Sequence, residues 1–324
     1  MKITILGAGA YALALTHIAN KNNNDITIWT KFEEEKNTLE KTRENKEKLP
    51  SYKLPEKIKI TTNLKESITN SDLIIIAIPA VALEETIKEL KSIINKKSHI
   101  CIATKGIQQK TNLFVVNILK KHVHTKNYGV ISGGSFATDI INDAPIGLTL
   151  ATKNKETEKI IKKALSTTTT KLRETKDIIG TEICGSVKNV LAIASGILYG
   201  MEMPESTISM FLTESLNDVQ ELIYFLGGNK KTILSFAGFG DLYLTCTSNK
   251  SRNFTLGKMI GEQKSKEEIN KYKETTTIEG LYTLKSIYSL TKSKNIKIPI
   301  INLIYDIIYK NKDPKKLITF LITK

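Results

Sequence analysis

Cysteine is scarce in this 324-residue chain: Cys101, Cys184 and Cys246 lie far apart and form no C-x-x-C pair. That spacing excludes a disulfide framework and a cysteine-rich metal site, and it fits buried thiols in a reducing compartment. No metal is expected. Long apolar runs are missing too. The longest, Leu73 to Leu83, is broken by Pro79, and the opening Met1 to Leu6 runs straight into glycines. Neither a membrane span nor a signal peptide is therefore expected, and a cytoplasmic location is. Acidic residues are outnumbered, 33 Asp and Glu against 48 Lys and Arg, for a formal charge of +15. Such an excess admits nucleic acid, an anionic membrane or an anionic small molecule as partner. The lysines are scattered from Lys36 to Lys315, with no basic tail and no interleaved aromatics. This argues against the first two partners and leaves a small-molecule one. Internal repeats and low-complexity segments are absent, the Thr167–Thr170 run being too short to count.

What is present is the length for about two domains and the composition of an ordinary globular protein, 40% hydrophobic and 25% charged. Short β-branched runs alternate with longer amphipathic ones at Lys2–Leu6, Ile26–Trp29, Ile58–Thr61, Leu73–Ile78, Ile100–Thr104, Val130–Ser132 and Ile146–Leu150. That alternation predicts an α/β domain of βαβ units around a parallel sheet, with Leu73–Ile78 a central strand. After Thr175 the strands stop. Ile183 to Leu198 is apolar on nearly every face, as a helix buried in a core would be. Leu281, Leu284, Ile287 and Tyr288 share one face of a later helix, and Asp313-Pro314 starts the last. The boundary falls near residue 180, giving a domain of 1–180 and an all-helical one of 181–324.

Gly7-Ala8-Gly9-Ala10-Tyr11-Ala12 follows the first strand and opens an amphipathic segment. Gly7 permits a tight turn, Gly9 lets backbone approach a pyrophosphate at a helix N-terminus, and Ala12 is small enough for helix and strand to pack. At the end of the second strand the acid that would bind the ribose of NAD is replaced by Trp29-Thr30-Lys31. Lys31 can pair with a 2′-phosphate, which tilts the cofactor towards NADPH over NADH; alternatively it is a solvated lysine beside Glu33, Glu34 and Glu35.

Lys105 follows a strand and precedes Gly106, while Ser132-Gly133-Gly134-Ser135-Phe136-Ala137 follows another and offers open backbone N–H groups. Gly185-Ser186-Val187-Lys188-Asn189 places a lysine in the most apolar helix of the chain. Burying an ammonium is costly unless it has a partner or a task, so Lys188 either reacts, pairs or snorkels to water. Asp241, on the turn Gly238-Phe239-Gly240, is a helix cap or a catalytic carboxylate. Ser251-Arg252-Asn253 starts a helix where a serine cap, an arginine fork and the helix dipole all suit a phosphate.

In this order the motifs resemble the NAD(P)-dependent glycerol-3-phosphate dehydrogenases: GAGAYA from Gly7, ATKG at 103–106, ISGGSFA at 131–137, GSVKNVLAIASG at 185–196, AGFGDLYLTCTSNKSRN at 237–253 and IEG at 278–280. The resemblance covers essentially the whole chain. It implies a Rossmann-like dinucleotide domain with a helical C-terminal domain, as in the 6-phosphogluconate dehydrogenase group, and reduction of dihydroxyacetone phosphate to sn-glycerol 3-phosphate for glycerophospholipid synthesis. It also implies that Lys188 is the central catalytic residue, with Lys105 and Asp241 beside it. Gly133, Ser135, Ser251, Arg252 and Asn253 would touch substrate. Gly7, Gly9, Ala10, Tyr11, Ala12, Lys31, Lys105, Ala137, Arg252, Thr277 and Glu279 would touch cofactor, in a homodimer. Three positions depart from the family pattern: Ala12 for the third glycine, Ala10 for a small polar residue and Gly134 for proline. A related hydroxyacid dehydrogenase and a catalytically silent dinucleotide sensor are the alternative readings.

Overall fold

The computed structural model describes residues 1–109 and 111–323. They form two units, Met1–Lys105 with Val115–Ile178, and Gly106–Phe114 with Ile179–Lys324. The change of unit at 178–179 lies beside the boundary read from sequence, but Gly106–Phe114 departs from it. This segment closes an antiparallel bridge between Ile107 and Phe114 and buries both side chains in the core of the second unit. Its apolar residues thus decide its membership.

The first unit is built on eight strands: β1 (Lys2–Leu6), β2 (Asp25–Trp29), β3 (Lys59–Thr61), β4 (Leu73–Ile76), β5 (His99–Ile102), β6 (Tyr128–Ser132), β7 (Ile146–Ala151) and β8 (Thr170–Thr175). Their order is β3-β2-β1-β4-β5-β6-β7-β8. All of β4 and β5 is buried, as continuous apolar runs in the centre of such a sheet should be. Two corrections to the sequence reading follow. The sheet is not wholly parallel, because β6 pairs antiparallel with β7. The stretch joining them carries only the five-residue helix Ala137–Ile141. And β8 is a strand that hydrophobic periodicity missed. It pairs only with β7, and its Lys171, Arg173 and Glu174 point to water, the charged pattern of an edge.

The order reverses between β1 and β4, the switch point beyond which ligands bind in sheets of this kind. The helix Ala10–Lys21 follows β1, and Ala80–Ile93 follows β4.

In the second unit, the helix Ile178–Gly200 is the core. By length and hydropathy it is long and apolar enough to cross a membrane, yet 83% of its most apolar window is buried inside the fold. Around it pack, among others, Glu205–Phe225, Arg252–Gly261, Glu279–Ser293 and Pro299–Lys310. One crossing is unusually close. Gly196 and Gly200 meet Gly257 and Gly261 of the helix Arg252–Gly261, and a Cβ on Gly257 would stand 1.9 Å from the Ile193 carbonyl oxygen. Only glycine allows the two backbones this near, and the contact fixes the second helix, with Ser251–Asn253 at its start, against the helix that carries Lys188.

Candidate active site

In the first unit the glycine loop has the geometry of a pyrophosphate cradle. Gly7 adopts φ +118°, a conformation closed to most side chains, and its N–H donates to the Trp29 carbonyl at 2.8 Å. A Cβ there would lie 2.8 Å from the Ala77 carbonyl oxygen, just past β4. Gly9 is the N-cap of Ala10–Lys21 and offers no side-chain cap, and a Cβ on it would meet nothing within 4 Å. The helix therefore presents uncapped N–H groups to open space, where its dipole favours an anion. The residues fit a dinucleotide. Ala10 and Tyr11 are half-buried beside this opening, while Ala12 is fully buried, so the missing third glycine is accommodated by tight packing.

Beyond β2, Trp29 is buried and donates its indole N–H to the Thr62 carbonyl at 2.9 Å. Lys31 is exposed and pairs with Glu85 at 2.9 Å. Lys105, three residues past β5, reaches the Gly133 carbonyl at 3.4 Å and lies 5.7 Å from the centre of the Tyr11 ring. The structure thus draws together three residues chosen separately from sequence. Gly133 is required for close approach, since a Cβ would come within 2.5 Å of the Gly147 carbonyl oxygen. On either side of Gly133-Gly134, the buried hydroxyls of Ser132 and Ser135 have no hydrogen-bond partner among the described residues. Buried polar atoms are nearly always satisfied, so a pair left open on a glycine loop marks a place for a polar ligand. Ala137 opens the short helix that follows.

In the second unit Lys188 reaches inward from Ile178–Gly200. Its ammonium pairs with the Asp241 carboxylate and donates to the Thr245 hydroxyl at 3.0 Å. The Thr245 hydroxyl proton is committed to the Asp241 main-chain carbonyl at 2.6 Å, so its oxygen faces the amine as an acceptor. The Lys188 side chain is 12% exposed and the Asp241 side chain 1%. Both charged groups are thus largely out of water, the carboxylate almost wholly. A kink delivers Asp241 there. Gly238 leaves helical geometry at φ −85°, ψ −106°, and a Cβ on it would overlap the Ile233 carbonyl oxygen at 2.2 Å. Asp241 then opens the helix Asp241–Cys246.

Asn189 donates to the Glu279 carboxylate at 3.1 Å, and the Asn253 side-chain oxygen accepts from Gly280 N–H at 2.8 Å. Ser251 is a buried N-cap that accepts from Phe254 N–H. Asn253 and Ser251 are therefore buried and tied to protein, whereas Arg252 is exposed at the first helical position and makes no ion pair among the described residues. Thr277 is also exposed, and Glu279 is half-buried.

Residues 2–158 match the family model for the NAD-dependent glycerol-3-phosphate dehydrogenase N-terminus, and residues 177–319 match the C-terminus model. The chain belongs to the NAD-dependent glycerol-3-phosphate dehydrogenase family. It is 32% identical over its full length to 97% of the glycerol-3-phosphate dehydrogenase (NAD(P)+) of Fusobacterium nucleatum. It is 34% identical, with the same coverage, to that of a Thermoanaerobacter species. The crystal structure of the Coxiella burnetii glycerol-3-phosphate dehydrogenase superposes with a TM-score of 0.93 at 30% identity, covering 100% of this chain and 99% of that one. D-mandelate dehydrogenase shares the fold alone, at a TM-score of 0.62 and 15% identity.

Within this glycerol-3-phosphate dehydrogenase chain, sequence reasoning passed over Thr245, Ser132 and Glu85. Thr245 lies one helical turn after Asp241, a spacing that could have drawn notice to it. Ser132 sits at a strand end beside chosen residues, and Glu85 carries no local signal.

Proposed function

We propose that the chain interconverts dihydroxyacetone phosphate and sn-glycerol 3-phosphate with a reduced or oxidised nicotinamide dinucleotide. The observation that carries this reading is the buried Lys188–Asp241 pair, with Thr245 accepting from the same amine, in a chain of this family. A charged lysine held this way is costly as mere structure and suited to a reaction in which negative charge develops on an oxygen.

A nicotinamide dinucleotide held at the Gly7–Ala12 loop would supply the hydride, or take it in reverse, at the substrate C2. Lys188 stabilises the alkoxide that forms on the C2 oxygen and donates the proton that completes the alcohol; in reverse it accepts that proton. Asp241 and Thr245 both engage that amine and fix its position. Arg252 grips the substrate phosphate with its guanidinium fork at a helix N-terminus whose dipole also favours the anion. Asn253 and Ser251 position that helix start, and Lys105, Gly133 and Ser135 contribute polar contacts to the substrate. Gly7, Gly9, Ala10, Tyr11 and Ala12 bind the dinucleotide, with Lys31, Ala137, Thr277 and Glu279 as further contacts. Lys31 supports use of NADPH beside NADH. The family supports a cytoplasmic homodimer that supplies glycerol 3-phosphate for glycerophospholipids.

The test is loss of the reduced-nicotinamide absorbance on addition of dihydroxyacetone phosphate, run separately with NADPH and NADH. Rapid oxidation is expected. Silence with both, in folded protein, would overturn the substrate assignment.

A further inference from the structure

We propose that Glu85 tunes the cofactor choice of this chain by occupying Lys31 and setting a carboxylate where the 2′-phosphate of NADPH would otherwise meet an unopposed cation; the inference rests on the dinucleotide reading of the first unit. Lys31 stands just beyond β2, the place where the ribose end of a dinucleotide is read in sheets of this order. Its ammonium donates to Glu85 Oε2 at 2.9 Å, and Glu85 comes from the helix Ala80–Ile93, which starts beyond β4. The pair therefore ties the carboxyl ends of β2 and β4 together, with β1 and its glycine loop between them.

A pocket of about 480 Å³ opens beside this pair, lined in part by Trp29, Lys31, Thr62, Lys65, Thr86 and Glu89. Glu89 lies one turn after Glu85 on the same helix and lines this pocket with Lys31 and Lys65, so a second carboxylate borders the same space. A 2′-phosphate arriving there takes Lys31 from Glu85 and then remains near a charge of its own sign. An unphosphorylated ribose breaks nothing and meets no such repulsion. Both side chains of the pair are more than half exposed, 51% for Lys31 and 64% for Glu85, so the bridge is easily exchanged. The result is a chain that accepts both cofactors and is held back from a strong preference for NADPH.

The experiment is fluorescence titration of NADPH and NADH into the protein without substrate, for the natural chain, Glu85→Gln, Lys31→Met and the double variant. Glu85→Gln should tighten NADPH roughly tenfold at low salt, the scale of one carboxylate near a dianion in a watery site, and leave NADH within about twofold. Added salt should shrink the gain, because exposed charges are screened. Lys31→Met should weaken NADPH alone, and in that background Glu85→Gln should gain less. Unchanged NADPH affinity in Glu85→Gln, or an equal gain for NADH, would overturn the proposal. Failure of the folded natural chain to bind either dinucleotide would overturn the cofactor reading and this inference with it.

Discussion

Removing the charge of Asp241 should unfold the second unit more easily, and removing Lys188 at the same time should restore much of the loss. Asp241 is 1% exposed and Lys188 12%, so the pair sits largely out of water. Breaking a buried ion pair by removing one partner costs about 3–5 kcal/mol, because the other charge is left uncompensated. In Asp241→Asn the stranded charge is Lys188, whose side chain is the more exposed of the two and keeps the Thr245 oxygen, so the lower end, about 3 kcal/mol, applies. At about 2–4 °C per kcal/mol, that lowers the unfolding midpoint by roughly 6–12 °C. Lys188→Met strands the wholly buried carboxylate instead and should cost at least as much. The double variant Lys188→Met with Asp241→Asn buries no charge and should recover at least half of either loss, while remaining inactive. The single tryptophan, Trp29, lies in the first unit, so its fluorescence reports the wrong half; helical circular dichroism draws on both units and more heavily on the second, and is the better probe. A single-variant loss below about 1 kcal/mol, or a double variant no better than the singles, would refute the burial argument.

Three further outcomes follow from the geometry. Arg252→Ala should raise KM for dihydroxyacetone phosphate at least ~100-fold, consistent with losing a bidentate charged contact, with little change in stability because the side chain is exposed; steady-state kinetics and an unfolding scan check both halves. Gly257→Ala forces a methyl into the Ile193 carbonyl and should destabilise by about 1–3 kcal/mol or more, measured by denaturant unfolding, whereas a neutral result would contradict the close helix crossing. His99 is buried at the start of β5 beside Thr157, and desolvation holds its pKa below the ordinary 6.5 despite Glu156 and Asp72. The unfolded chain therefore binds the proton more readily than the folded one. The stability present above pH 6.5 falls as the pH drops below it, by at most about 1.4 kcal/mol per pH unit from this group, and His99→Gln should flatten that slope below pH 6.5.

The parts legible in sequence were those where chemistry and surroundings conflict. A lysine within the apolar run around Val187 and Val190, and glycines directly after a β-branched strand, stand out because ordinary packing would not choose them. Strand direction was not legible, since β6 and β7 carry the same β-branched pattern as the parallel strands and nothing in it marks their antiparallel pairing. β8 was hidden by its own edge chemistry: Thr170, Leu172 and three charges read as surface. Gly106–Phe114 joined the second unit through Ile107 and Phe114, two apolar residues whose destination no local pattern reveals. At the site, Asn253 and Glu279 carried no sign of their partners Gly280 and Asn189, and the partner of Lys31 lies 54 residues further on. Long-range pairing is set by the fold, and periodicity holds no record of it.

The most direct measurement of the central claim is the turnover of dihydroxyacetone phosphate by Lys188→Met, at a temperature where circular dichroism and NADH binding show the variant folded and loaded. The account predicts a fall in kcat of at least ~100-fold with cofactor affinity nearly unchanged, the scale of a lost acid–base group. Near-normal kcat in that folded variant would contradict it, and would return Lys188 to the role of a structural ion pair.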